Sequence, residues 1–175
     1  MFEIILYDIA NLLSFGPVCA GAGLVLLLVW YLYIRKTRRE FHQGTAVGVF
    51  LLGIYLCLIL EVSILSRESG SHAQEIDWNL FHVASEWAAV RACVIENIIM
   101  FIPLGILLPS VFYTFRKAHM MILSGLFLSI AIEVTQYCTG RGYCQLEDVI
   151  MNTIGTVIGF VIYRGYLKIY QIIEQ

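Results

Sequence analysis

Two apolar segments in the last third of the chain carry polar and small residues at identical helical spacing. The first segment holds Ser129, Glu133, Gln136 and Gly140, and the second holds Asp148, Asn152, Gly155 and Gly159. Both sets advance by four, three and four residues, so at about 100° per residue each set occupies one stripe of a helix. A short break separates the segments, which predicts an antiparallel helix pair with facing stripes. Carboxyl and amide groups held together in this way can bind polar headgroups, hold a cation or exchange protons.

Ionisable residues within apolar segments are expensive to insert into a bilayer, so function is the first hypothesis for Glu133 and Asp148. The alternative is that polar side chains near helix ends reach the lipid headgroups by snorkelling. That alternative applies to Glu61, Glu96 and Asp148 taken singly. It is weaker for Glu133, which lies about a turn and a half inside its segment and shares a stripe with Gln136.

The composition is that of a membrane protein. Hydrophobic residues make up 59% of the 175 residues, mean hydropathy is +0.80, and charged residues are 14%, below the roughly 25% of soluble domains. At about 20 residues per span, five segments are long enough to cross a bilayer: 16–34, 45–65, 94–115, 119–138 and 149–167. We therefore predict an all-α, polytopic transmembrane helical bundle that forms a single membrane domain over residues 1–175, with no nucleic-acid partner.

Basic residues indicate the orientation of this bundle. Eight of the eleven Lys and Arg side chains lie in three segments, 35–39, 116–117 and 164–168, which alternate correctly to share one side of the membrane. The positive-inside rule places that side in the cytoplasm, so the N-terminus is predicted outside and the C-terminus inside. Every intramembrane acid and amide then lies within about 10 Å of the outer surface. We infer one polar pocket, open toward the outer leaflet. The residues expected to line it are Asn97, Ser129, Glu133, Gln136, Arg141, Asp148 and Asn152.

Other residues are expected to shape the bundle. Pro103 removes a backbone donor inside the third span, and together with Gly105 it predicts a kink that presents Asn97. Gly155 and Gly159 form a small-xxx-small pair, called the glycine seam below, which predicts close helix contact within the hairpin of the last two spans.

The outer connections hold the remaining features. Arg141 lies between two glycines, and two interpretations stay open: a salt bridge that closes the hairpin, or a clamp for a phosphate or carboxylate. Residues 77–91 are predicted to form an interfacial helix over the pocket mouth, capped by Asp77. Cys138 and Cys144 bracket the connection, and a disulfide or two free thiols are both open. The cysteines show no metal-ligand spacing, so we expect no metal and no cofactor.

The same residues resemble the signature of the VanZ-like membrane proteins. Its N-x-x-x-F-x-P-x-G motif is matched by Asn97, Phe101, Pro103 and Gly105. The rest of the signature is matched in order by Ser129, Glu133, Gln136, Arg141, Asp148, Asn152, Gly155 and Gly159. The resemblance covers about residues 60–160. Residues 1–44 are therefore predicted to be an additional N-terminal span with a basic cytoplasmic loop.

The resemblance implies a function that the residues alone do not. VanZ-like proteins are multi-pass proteins of the bacterial inner membrane. They are linked to reduced susceptibility to lipoglycopeptide antibiotics of the teicoplanin type, without an established chemistry. The resemblance therefore implies contact with membrane lipids, and with a lipoglycopeptide or a lipid-linked cell-wall precursor, at the outer face.

Three hypotheses follow for function. The first is a membrane-embedded binding protein, and the second is a small membrane enzyme that acts on a lipid-linked cell-wall or phospholipid substrate. That enzyme would use Glu133 and Asp148 as acid and base, or as ligands of a divalent cation. The third is an assembly subunit whose glycine seam contacts a partner. The helical stripes contain no histidine, and no Ser-His or Cys-His arrangement is evident. Binding is therefore favoured over catalysis, and no catalytic residue is assigned.

Overall fold

The fold is given by a computed structural model that describes residues 14–37, 42–67, 70, 76–77, 87–142 and 144–173. Within these ranges the chain forms five long helices. They are α1 (Gly16–Thr37), α2 (Gln43–Leu60, extended by a π-helical turn at Glu61–Leu65), α3 (Trp87–Val111), α4 (Ala118–Thr139) and α5 (Leu146–Ile173). All five are long and apolar enough to cross a membrane. The prediction of an all-α bundle with five spans is confirmed, and the chain is a multi-pass membrane protein.

The first of two compact units, Met1–Leu58, contains α1 and most of α2. Its two helices meet at glycines, because a Cβ atom at Gly53 would lie 2.7 Å from the Cα atom of Gly23. A Cβ atom at Gly23 would in turn lie 2.8 Å from the carbonyl oxygen of Phe50. Small residues let helix backbones approach closely in a bilayer, where packing rather than the hydrophobic effect holds helices together.

The second unit, Ile59–Gln175, contains α3, α4 and α5. Here α3 and α5 pack backbone against backbone. A Cβ atom at Gly155 would collide with the carbonyl oxygen of Ile98, and one at Gly159 would collide with that of Ile102. Because the contact positions advance together along both helices, α3 and α5 run parallel. Gly105 contributes from the α3 side, where a Cβ atom would lie 2.6 Å from the backbone nitrogen of Phe160.

The other edge of the α5 stripe contacts α4. Asn152 donates a hydrogen bond from Nδ2 to Oγ of Ser129 over 2.9 Å. One turn further on, a Cβ atom at Gly125 would lie 2.8 Å from the Cβ atom of Thr156. The contact positions fall along α4 while they rise along α5, so the two helices are antiparallel, as the stripes predict.

The glycine seam does not lie where the sequence suggests. We expected Gly155 and Gly159 to close the hairpin of α4 and α5, and the structure shows them against α3 instead. The polar and small positions of α5 spread over about 60° of the helix, which is wide enough to face two neighbours. Asn152 lies on the edge toward α4, and the glycines lie on the edge toward α3.

The connection between α2 and α3 differs from the predicted interfacial helix. Ile76–Asp77 is a two-residue strand, β1, that pairs in parallel with strand β2 (Cys144–Gln145). Asp77 therefore lies in a strand. Trp87 begins α3 itself, so the last part of the predicted helix continues directly into the third span. The part of the prediction that covers 78–86 lies outside the described residues.

The third span ends earlier than predicted. Helix α3 continues through Pro103 and Pro109 and stops at Val111, where residues up to 115 were expected. Phe112 is extended, and Tyr113–Arg116 form a short 3-10 turn. Arg116 folds back and donates from Nε to the carbonyl oxygen of Pro109 over 3.2 Å. A side-chain donor thereby satisfies one of the carbonyls that every helix end leaves unpaired.

Candidate functional site

Polar groups collect at one end of the second unit, where α2 and α4 finish and α5 begins; we call this region the polar end. Its deepest carboxyl group is that of Glu133, whose residue is 3% exposed. Oε2 of Glu133 accepts a hydrogen bond of 2.8 Å from the backbone N–H of Gln145 in β2. The strand that follows the hairpin turn therefore supplies a donor to the buried acid.

Asp148 lies beside Glu133 and close enough for their charges to interact. The side chain of Asn97 on α3 donates a hydrogen bond to the Asp148 carboxyl group. Three elements thus converge: α3 supplies Asn97, α4 supplies Glu133 and the first turn of α5 supplies Asp148. The structure brings these three sequence-predicted site residues together.

The basic member of this group, Arg67, was not predicted from the sequence. Arg67, which follows the π-helical turn of α2, interacts electrostatically with both Glu133 and Asp148. Its guanidinium group lies over the hairpin connection, because a Cβ atom at Gly142 would be 2.7 Å from Nη1 of Arg67. Arg67 lies just after the second span, on the side that the positive-inside rule leaves poor in basic residues. A basic residue is unusual on that side, and this unusual position is the feature of the sequence that could have identified Arg67.

A second polar layer lies one turn deeper, formed by the Ser129 and Asn152 pair. Both side chains are almost completely buried, at 0% and 1% exposed. Below them Thr156 donates from Oγ1 to the carbonyl oxygen of Asn152 over 3.0 Å, and its own side chain is 0% exposed. Polar atoms therefore extend about three turns into an apolar bundle, which is the depth at which snorkelling to the headgroups becomes difficult.

Gln136 joins α4 to the end of α2. Its Nε2 atom donates to the backbone carbonyl of Ser63 over 2.8 Å, and the residue is 2% exposed. A backbone carbonyl only accepts hydrogen bonds. The amide nitrogen of Gln136 must therefore face Ser63, and its oxygen must face elsewhere.

Arg141 has a role that neither open interpretation described. Its Nη1 atom donates to the carbonyl oxygens of Ile64 over 3.0 Å and of Leu65 over 3.5 Å. The last carbonyls of a helix have no partner within it, and cations stabilise that end. Arg141 therefore caps the C-terminal end of the second span, and among the sequence-predicted residues it lies at the border of the polar end.

Several buried oxygens at the polar end have no hydrogen-bond partner among the described residues. They are Oε2 of Glu61, Oε1 of Gln136, Oε1 of Glu147 and Oδ1 of Asn152. All four belong to carboxyl or amide groups and can accept hydrogen bonds. Glu61 lies in the π-helical turn, a distortion of helices that is frequent at functional sites. Glu96, by contrast, is exposed.

The hairpin cysteines are both free thiols, so Cys138 and Cys144 are not joined in the structure. Burial raises the pKa of the Cys144 thiol above its ordinary value, and the nearby charge of Glu133 raises it further. Within the described part of the chain, no three His, Cys, Asp or Glu side chains are arranged to hold a metal ion.

Comparison with known protein families gives a match. The family described as VanZ/LLP1 matches residues 52–170, which begin within α2 and end within α5. Comparison with curated proteins and with solved structures gave no match. The family match spans more than half of the chain and includes every residue of the polar end described above. The chain belongs to the VanZ/LLP1 family.

Proposed function

We propose that the chain is a binding protein of the bacterial cell membrane whose polar end receives the polar part of an amphiphilic ligand. The ligand is a lipoglycopeptide of the teicoplanin type or a lipid of the cell envelope, such as a lipid-linked cell-wall precursor. Binding at this end lowers susceptibility to the antibiotic. The observation that carries the proposal is the set of buried, unpartnered oxygens at the polar end, which also holds Glu133 and Asp148.

Energetics support a ligand at this position. A buried acceptor without a donor destabilises a protein by about 1–3 kcal/mol, and Gln136 and Asn152 each leave one such oxygen. Such groups are rare in native proteins, and a bound ligand that donates to them would complete their hydrogen bonding. The apolar flanks of the same helices suit the hydrocarbon part of an amphiphile.

The predicted orientation supports contact from outside the cell. By the positive-inside rule, the three basic segments favour an orientation in which the polar end faces the outer leaflet. Lipoglycopeptides and the lipid-linked precursors of the cell wall are encountered on that side.

The glycine seam does not favour the assembly-subunit hypothesis. Gly155 and Gly159 are buried against Ile98 and Ile102 of the same chain. A seam that is already filled within one molecule offers no close-packing surface to another protein.

An enzyme remains the second proposal because the two carboxyl groups have different surroundings. Glu133 accepts a hydrogen bond from a backbone N–H, whereas Asp148 accepts one from a side-chain amide. Pairs of acids in unlike environments can divide the roles of acid and base. A lipid species that appears only in cells with the intact chain would select this alternative over binding.

The deciding experiment compares susceptibility to teicoplanin and vancomycin in a strain with and without the gene. We expect the intact chain to lower susceptibility to teicoplanin. Glu133→Gln and Asp148→Asn should each remove that protection while membrane abundance stays unchanged. Glu96→Gln is the matched control, because Glu96 is a carboxylate near the same end that is exposed. Equal susceptibility with and without the gene, for both drugs, would contradict the antibiotic role.

A further inference from the structure

We propose that the group received at the polar end is a primary ammonium group, which deepens the function proposed above and rests on it. The ligand chemistry is therefore a cationic amine with N–H donors, whether it belongs to a lipid headgroup or to a soluble molecule. Three observations support this assignment: the polarity of the unpartnered atoms, the commitment of the local donors, and the balance of charge.

The unpartnered atoms at the polar end all have the same polarity. Gln136 carries the clearest case, since its nitrogen is fixed on the carbonyl of Ser63 and its buried Oε1 atom has no donor among the described residues. Asn152 repeats the pattern one layer deeper, with Nδ2 on Ser129 and Oδ1 without a partner. A ligand that completes this site must bring donors, because the protein has kept its acceptors.

Several of the local donors are already used within the protein. The backbone N–H of Gln145 is bonded to Glu133, and the amide of Asn97 is bonded to Asp148. Arg141 directs its guanidinium group to the carbonyls of Ile64 and Leu65. A phosphate or carboxylate would find these donors occupied and would compete with Glu133 and Asp148 for the guanidinium group of Arg67, whereas an ammonium group has three donors and no acceptor.

The formal charge of the described groups agrees with a cation. Glu133 and Asp148 lie next to one another, and the positive charge of Arg67 acts on both. With Arg141 at the border, two guanidinium groups face the four carboxyl groups of the polar end, those of Glu61, Glu133, Glu147 and Asp148, so the formal charge of this end is negative. An ammonium group reduces that excess, and a charged group in a low-dielectric region is stable when it is paired and hydrogen-bonded.

The test uses lipids that share one charge and differ in N–H donors. The purified full-length chain is reconstituted in phosphatidylglycerol with an equal fraction of phosphatidylethanolamine, its N-monomethyl form, its N,N-dimethyl form or phosphatidylcholine. Lipid retained after mild detergent extraction is measured by native mass spectrometry. We expect retention to fall stepwise with each methyl group, by at least about tenfold overall, which corresponds to about 1.4 kcal/mol.

Variants connect that preference to the polar end. Gln136→Met removes the unpartnered oxygen at similar length, and Glu133→Gln removes one charge while keeping an oxygen for Gln145. In both variants the four lipids should be retained about equally, and in Glu96→Gln the stepwise fall in retention should be unchanged. If Gln136→Met does not fold, Glu133→Gln still tests the proposal. Equal retention of phosphatidylethanolamine and phosphatidylcholine, or preferential retention of phosphatidylglycerol alone, would overturn the proposal.

Competition with free ethanolamine or glucosamine separates the two sources of the amine. Displacement of the retained lipid by the free amine supports a soluble or sugar-borne amine, and resistance to displacement supports a lipid headgroup.

The ammonium assignment and the antibiotic role can be contradicted separately. A flat methylation series together with protection that still depends on Glu133 overturns the ammonium assignment alone. A steep series without any change in drug susceptibility overturns the antibiotic role alone.

Discussion

Adding a single methyl group at Gly155 tests how the bundle holds its site together. In Gly155→Ala the new Cβ atom meets the carbonyl oxygen of Ile98 on α3. That atom belongs to the backbone, so no side-chain rotation relieves the contact, and α3 and α5 must separate. The first turn of α5 carries Asp148, which accepts its hydrogen bond from Asn97 on the same α3. Separation of the two helices therefore disturbs the polar end as well.

The expected change in the free energy of unfolding of Gly155→Ala is the sum of two opposing contributions. Alanine is the better helix former, which stabilises the variant by about 0.8–1.0 kcal/mol. Overpacking against a rigid neighbour destabilises by about 1–3 kcal/mol, and a backbone neighbour places the contact in the upper part of that range. We expect the free energy of unfolding to fall by about 1–2 kcal/mol in total.

Gly165→Ala is the matched control, because it makes the same change in the same helix where nothing lies within 4 Å. Only the propensity contribution applies there, so this variant should equal or slightly exceed the parent in stability. In the assay, the purified full-length protein is heated in detergent, and the fraction that remains monodisperse is measured at each temperature. If Gly155→Ala and Gly165→Ala lose the monodisperse form at the same temperature, the backbone contact between α3 and α5 is not as described.

The remaining predictions concern the hairpin and its layers. Because burial and the charge of Glu133 raise the pKa of Cys144, less thiolate is present at a given pH. At about pH 8 its alkylation should therefore be slower than that of the exposed Cys138. Glu133→Gln removes the second cause, lowers the pKa toward its ordinary value and should speed the labelling of Cys144 alone; an unchanged rate in peptide mass mapping would count against this proximity. Ser129→Ala leaves a buried nitrogen of Asn152 without its acceptor and should lower thermal stability by about 1–3 kcal/mol. The double variant that adds Asn152→Leu should recover part of that loss, and a simple sum of the two single effects would show that the pair is not coupled.

Periodicity and hydropathy were sufficient to predict the five spans and the two facing stripes. Both signals are properties of one segment read along its own length. The hydrogen bond between Ser129 and Asn152 is the direct result, since an antiparallel pair with matched stripes must bring those positions together. The polar pocket with its outward opening stays a prediction, and so does the orientation of the termini.

Other features depend on relations that no single segment contains. Arg141 binds carbonyl oxygens, and a carbonyl oxygen is present at every residue, so the sequence carries no mark of the acceptor. Both α3 and α4 contact the stripe of α5, and the glycine seam lies on the edge that faces α3. The spacing of residues within α5 does not say which neighbour lies on which edge. Arg67 was not predicted because it lies just beyond an apolar segment and not within one.

The cap that Arg141 places on the second span has a consequence for how such chains diverge. Ile64 and Leu65 contribute main-chain oxygens only, so their side chains are free to vary without loss of the bond. Arg141 contributes its guanidinium group, and no other side chain presents the same planar set of donors. Mutational drift should therefore be tolerated at the two acceptor positions and restrained at the donor position.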